Sequence, residues 1–153
     1  MTKNQIEKLI KLAQSEADKA IWKGNAPFGA VVTDKNGYII TKAHNTVNSD
    51  IDPTAHAEIN ILRSLAKKLK VVKFKNYLIF INSEPCSMCS SALIRSGIRE
   101  IYYGADQEEG QILKISLSAI AKKSKEKIKV TKGILKDECW EQIKNGRKNL
   151  SKK

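Results

Sequence analysis

The chain has 153 residues, 41% of them apolar and 29% charged, with 28 Lys plus Arg against 16 Asp plus Glu and a formal net charge of +12. This length fits one domain with one core, expected to span residues 1–153, and the apolar fraction argues against disorder. No apolar run nears the roughly 20 residues of a membrane span. Met1 to Lys11 lacks a signal-peptide core, so the expectation is a cytoplasmic protein with no membrane partner.

In chain order, Asn4 to Lys23 repeats apolar residues on one helical face, with Gly24 as a stop. Phe28 to Thr33 reads as a strand. Asp34-Lys35-Asn36-Gly37 is a tight turn, and Tyr38 to Ala43 is the returning strand. Asn45 to Ile51 reads as a polar loop. Asp52-Pro53 resembles an N-cap followed by a first-turn proline, so a helix is expected over Thr54 to Leu69. Tyr77 to Ile81 is a short buried strand, and Ser83-Glu84-Pro85 opens a helix from Cys86 to Ser96, closed by Gly97.

Ile98 to Tyr103 is another strand. Gln111 to Lys123 is helical by period, Ile128 to Thr131 is a strand, and Lys136 to Lys148 is a last helix. The lysine-rich Lys122–Lys129 and Lys144–Lys153 read as solvated, with the last residues frayed. Helices alternating with strands predict an α/β fold, a three-layer α/β/α sandwich around a mixed five-stranded sheet. Its first hairpin is antiparallel and the remainder parallel.

Three cysteines do not make a secreted disulfide framework, and two of them lie at Cys86 and Cys89. Spaced i, i+3, both thiols fall on one side of a helix start, where unpaired N–H groups favour thiolates. His56-Ala57-Glu58 opens another helix. If the two helix starts face each other, His56, Cys86 and Cys89 form a tetrahedral zinc site, one ion per chain, with its fourth position open to water. Zinc lowers the pKa of bound water, and Glu58 is close enough to move protons without binding the metal.

His-x-Glu followed by Pro-Cys-x-x-Cys is the signature of zinc nucleobase deaminases. Asp52-Pro53-Thr54-Ala55-His56-Ala57-Glu58-Ile59 and Glu84-Pro85-Cys86-Ser87-Met88-Cys89 resemble the cytidine-deaminase-like superfamily. More narrowly, they resemble its branch of bacterial guanine deaminases and tRNA adenosine deaminases. The resemblance runs from about Ala26 to Asp106 and, more weakly, from Thr131 to Cys139. It implies His56, Cys86 and Cys89 as zinc ligands. It also implies Glu58 as the catalytic proton shuttle, while water at the open position attacks the ring carbon bearing the amino group. Asn45 and Phe28 then match substrate-contacting positions, the backbone near Ala57 and Cys86 lies beside the reacting carbon, and Asp106 falls near a substrate loop. A homodimer is also implied.

Other readings of the same residues exist. Cys-x-x-Cys at a strand-to-helix junction also suits a redox pair, which the adjoining His-x-Glu disfavours. A closed structural zinc site needs a fourth protein ligand, for which only His44 and Cys139 remain. Within the enzyme class, Phe28 and Asn45-Thr46-Val47 favour a small purine base or nucleoside as substrate, in the manner of guanine deaminases. The alternative, an adenosine in a tRNA anticodon loop, is supported by Leu93 to Ile98, Gly104-Ala105-Asp106, Lys132 to Cys139 and the +12 charge. Only Arg63, Arg95, Arg99 and Arg147 are arginines, so the charge is mainly lysine, a hydrated point charge that also serves solubility. A non-catalytic, zinc-stabilised nucleic-acid-binding module is the remote alternative, disfavoured by the intact Glu58.

Overall fold

A computed structural model describes residues 1–151. The elements are α1 (Lys3–Trp22), β1 (Gly29–Asp34), β2 (Ile39–His44), α2 (Val47–Asp50), α3 (Ala57–Leu69), β3 (Tyr77–Ser83), α4 (Ser87–Arg95), β4 (Glu100–Ala105), α5 (Leu117–Ala121), β5 (Lys129–Thr131) and α6 (Lys136–Ser151). The sheet order is β2-β1-β3-β4-β5. β1 is antiparallel to both β2 and β3, whereas β3, β4 and β5 are mutually parallel. β2 therefore points the same way as β3, β4 and β5, and the chain leaves β2, β3 and β4 at one edge of the molecule.

Strand alternation builds the two outer layers. Val31, Leu78, Phe80 and Tyr102 face α1 and α6, packing with Leu9, Ile10, Ala13, Cys139 and Ile143. Ala30, Val32, Ile79, Ile81, Ile101 and Tyr103 point to the opposite side, against Ile61 and Leu65 of α3, Leu93 of α4 and Leu117 of α5. The expected three-layer sandwich and mixed sheet are present. The exposed β2, by contrast, is only partly covered, so it forms a sheet edge.

Four expected boundaries are corrected. Asn45 to Ile51 is not all loop: Val47–Asp50 forms one helical turn, because the buried Asn25 Oδ1 accepts from the Asn48 and Ser49 amides, 3.0 Å each. The helix expected from Thr54 begins at Ala57. Asp52 Oδ1 accepts from the Thr54 amide at 2.8 Å and the Thr54 hydroxyl at 2.7 Å, closing a local turn that competes with helix. The helix expected over Gln111 to Lys123 contracts to Leu117–Ala121, started by Ser116 Oγ accepting from the Ala119 amide at 3.1 Å. The last helix runs past Lys148 to Ser151, and residues 152–153 of the tail lie outside the described residues.

The helical layer of α1 and α6 sits against the sheet through glycines. A Cβ at Gly29 would overlap the Ala13 carbonyl and the Ala17 amide nitrogen. α1 therefore rests directly on the start of β1, and its backbone offers no flexible side chain to move aside. Gly29→Ala is expected to destabilise the fold by about 3 kcal/mol or more, read as a lower urea midpoint at unchanged slope. Gly110→Ala, where nothing lies within 4 Å, is the control and should shift stability by less than about 0.5 kcal/mol.

Candidate active site

Two helices start side by side at the edge where β2 and β3 end. His56 is the N-cap residue of α3 and Cys86 the N-cap residue of α4, both in extended backbone. Neither uses its side chain as a cap, so the imidazole and the thiol are free to turn toward each other. α4 is anchored at its start: Ser90 N–H donates to the Cys86 carbonyl at 2.8 Å, and Ser90 Oγ donates to the Pro85 carbonyl at 3.1 Å. α3 is anchored likewise, with the Asn60 amide donating to the His56 carbonyl at 2.9 Å. The Asn60 side chain also bridges back to the His44 carbonyl at 2.8 Å and Thr46 Oγ1 at 2.9 Å.

Cys86 Sγ lies 3.6 Å and Cys89 Sγ 3.4 Å from His56 Nδ1, and one donor atom from each of the three lies within 4.8 Å of the others. A tetrahedral ion with Zn–S near 2.3 Å and Zn–N near 2.0–2.1 Å has an N···S edge of about 3.6 Å. The three donors thus already stand at the spacing of a zinc tetrahedron's face, and the residues fit the ion. Among the described residues no fourth side chain joins them. His44 Nδ1 instead meets Glu16 Oε2 at 3.2 Å, and Cys139 is buried in the core on the far side of the sheet. The closed four-ligand alternative therefore finds no support from either.

Proton sharing within the group follows its geometry. The Cys86 thiol is held down to about 4, first by the hydrogen bond from Cys89 and then by that from His56. Cys89, the buried partner, is pushed up by the same contact and by burial. The hydrogen bond to Cys86 raises His56 against the opposing effect of burial. Glu58, one residue into α3 and almost wholly buried, has its carboxyl raised by desolvation.

The group opens into a cavity of about 650 Å³, far larger than one planar base. His56, Glu58 and Cys86 form its floor and Phe28 one wall. The Tyr103 hydroxyl donates to Glu84 Oε1 at 2.9 Å, holding a second carboxylate at the rim. Asn45 is buried beside this wall. Its amide donates to the Phe28 carbonyl at 3.0 Å, and its Oδ1 accepts from the Val47 amide at 3.0 Å. Among the described residues that line the cavity, Asn45, Ala57 and Asp106 do not figure. Ala57 is fully buried, and Asp106 stands exposed in an ion pair with Lys136 Nζ at 3.0 Å.

Among the lining residues that the sequence does not mark as site residues are two charged ones outside its motifs: Glu108, from the segment after β4, and Arg147, from α6. They are 39 positions apart and meet only through the fold, so no local pattern marks them. The one available signal was Arg147 as the sole arginine of a lysine-rich helix.

Residues 3–105 match the family model described as the cytidine and deoxycytidylate deaminase zinc-binding region. The tRNA-specific adenosine deaminase of Haemophilus influenzae is 36% identical over 138 residues, covering 90% of this chain and 80% of that protein. The guanine deaminase of Bacillus subtilis is 33% identical over 104 residues, covering 67% and 66%. A structure from work on A-to-I editing by tRNA:A34 deaminases at the wobble position of transfer RNA superposes with a TM-score of 0.78. Its identity is 28%, over 88% of this chain and 98% of that one. The guanine deaminase from Nitrosomonas europaea shares the fold, with a TM-score of 0.80 at 24% identity over 93% and 84% of the two chains. With the donor trio at zinc spacing and the match covering both of its motifs, this chain belongs to the cytidine and deoxycytidylate deaminase family of zinc-dependent hydrolytic deaminases.

Proposed function

We propose that the protein deaminates adenosine to inosine in RNA, with a tRNA anticodon loop as its substrate. The sequence alone favours a small purine; the sequence relatives that align along most of the chain weigh the other way. Tetrahedral donor spacing at the base of a wide cavity is the observation that carries the reaction class. The similarity to tRNA adenosine deaminases over nearly the whole length supports the substrate. The excess of basic over acidic residues suits a polyanion.

In this reading His56, Cys86 and Cys89 hold the zinc. When bound, it supplies a Lewis acid that makes water nucleophilic near neutral pH. The reaction adds water at the adenine C6 carbon and releases ammonia. Glu58 takes the proton that the attacking water loses. It delivers that proton to N1 as the C6–O bond forms; as the C–N bond breaks it takes the second proton from the new C6 hydroxyl, which becomes a carbonyl, and passes it to the departing amine, which leaves as ammonia. Glu58 is buried beside the donor group, within the same cavity as the reacting carbon would be. Phe28 gives the base an apolar wall.

A second reading, a free purine such as guanine, is supported by the similarity to the guanine deaminase of Bacillus subtilis. The homodimer expected from the sequence belongs to this proposal too. The exposed Met88, Ile112 and Leu113 at the cavity rim offer it an apolar contact.

Purified protein is expected to carry about one zinc per chain by elemental analysis. His56→Ala and Cys86→Ser should each lose the metal, and chelation should lower the melting temperature of the native chain. Glu58→Gln should keep the zinc and lose about 10²–10⁴-fold in rate. Substrate choice is settled by ammonia and inosine release from an anticodon stem-loop with adenosine at the wobble position, set beside free guanine and adenosine. Inosine in the stem-loop is expected. Guanine turnover with an unaltered stem-loop would establish the second reading instead.

A further inference from the structure

We propose that Arg147 binds the phosphate of the nucleotide that carries the target base, and that Glu108 is a latch occupying Arg147 until such a ligand enters. This rests on the reading of the cavity as a deaminase site and names the chemical class it takes: phosphate-bearing nucleotides rather than bare bases.

The pairing has the geometry for exchange. Arg147 Nε lies 3.1 Å from Glu108 Oε2 and Nη2 lies 2.8 Å from Glu108 Oε1, a two-pronged contact. The same fork fits two oxygens of a phosphate. Both residues line the cavity, and Arg147 is the one permanent cation among the described residues that do so, facing the carboxylates of Glu58, Glu84 and Glu108. An anionic ligand entering this cavity has one partner to choose. The Arg147 side chain is 44% exposed, so its bond to Glu108 is shared with water and is of the modest strength typical of solvated ion pairs. A phosphate that takes it over displaces the Glu108 carboxylate, 21% exposed in this pairing, which must then turn out to water.

The placement of Arg147 is fixed rather than incidental. A Cβ at the preceding Gly146 would lie 2.6 Å from Pro27 Cβ, so α6 presses directly on the residue before Phe28. The guanidinium then sits 5.2 Å from the Phe28 ring centroid. The buried Asn82 ties the same corner together. It accepts from the Gly29 amide at 3.1 Å and donates to the Pro27 carbonyl at 2.9 Å and to Gln142 Oε1 at 3.1 Å, on the same helix α6 as Arg147. Glu108 is held from the other side. The buried neighbour Gln107 donates through Nε2 to the Pro85 carbonyl at 3.0 Å and the Ile115 carbonyl at 2.8 Å. A base against Phe28 would therefore carry its sugar-phosphate toward the guanidinium, and Glu108 is the group that must yield.

The test is equilibrium binding, which needs no turnover. Zinc-loaded protein bearing Glu58→Ala is titrated with a labelled anticodon stem-loop, and adenosine 5′-monophosphate, adenosine and inorganic phosphate compete. Glu108→Gln, added to that background, should tighten stem-loop binding about threefold or more, because Arg147 is no longer occupied. Arg147→Ala should weaken it about tenfold and lower the slope of log affinity against log salt by about one phosphate. Arg147→Gln, which keeps much of the side chain's packing, should do the same. Weaker competition by the monophosphate but not by adenosine would place a terminal phosphate at Arg147. An effect confined to the stem-loop would place a phosphodiester there.

If Glu108→Gln weakens binding or leaves it unchanged, or if neither Arg147 variant alters the salt slope, the pair is a structural strut and the proposal fails. That failure is separate from failure of the tRNA reading. A stem-loop that wild type deaminates while the Arg147 variants bind it normally sinks only the latch. An Arg147-dependent monophosphate site with no stem-loop turnover sinks only the RNA substrate.

Discussion

The convergence of two helix N-termini on three soft donor atoms is the constraint on which the rest of the structure depends. His56 and Cys86 occupy cap positions without capping. Each thereby gives up the hydrogen bond that usually satisfies a helix start and turns its side chain outward. The cost is borne by the neighbours, Ser90 on α4 and Asn60 on α3, which fix the backbone from inside the helices. What is gained is a rigid face of three donors, carried on packed helices rather than on loops.

That arrangement requires the strand order seen. α3 follows β2 and α4 follows β3, yet β1 lies between those strands. Because β1 runs against both, β2 and β3 are parallel and deliver their helices to the same end of the sheet. Had β1 been parallel to one neighbour and antiparallel to the other, β2 and β3 would oppose each other and one of the two helix starts would lie at the opposite end. The small residues of β1, Gly29 and Ala30, let the flanking α1 and α3 layers close over this narrow strand.

What the sequence discloses and what it hides divide along the range of the interactions. His-x-Glu and Cys-x-x-Cys are local spacings, each within a single helix start, so the donor group and Glu58 were legible. The alternating strands and the face of α1 were legible for the same reason. Helix starts were read too early at Thr54 because proline after aspartate signals a first turn, whereas Asp52 spends its carboxylate on Thr54. The apolar residues of Gln111 to Ile115 suggested helix by spacing. Ile112 is instead fully exposed, and the segment is held through Gln107 rather than by its own periodicity. Arg147 and Glu108 could not be paired in advance, since only the docking of α6 at Gly146 brings them together.

The same docking separates two kinds of positive charge. The lysines are spread over exposed surface. Several are already tied to carboxylates, as Lys136 is to Asp106 and Lys144 to Glu141. They supply a long-range field that draws a polyanion and fades with salt. The field lacks direction at atomic scale, because an ammonium carries no planar fork. Inside the cavity the balance reverses. Two thiolates and a neutral imidazole would only cancel a divalent ion, and the remaining charged walls are carboxylates. Such a cavity repels a phosphate unless one cation is placed at its mouth. Arg147 is that cation, seated on Phe28 and held in reserve by Glu108, so that the general attraction of the surface is converted into a specific orientation at the floor.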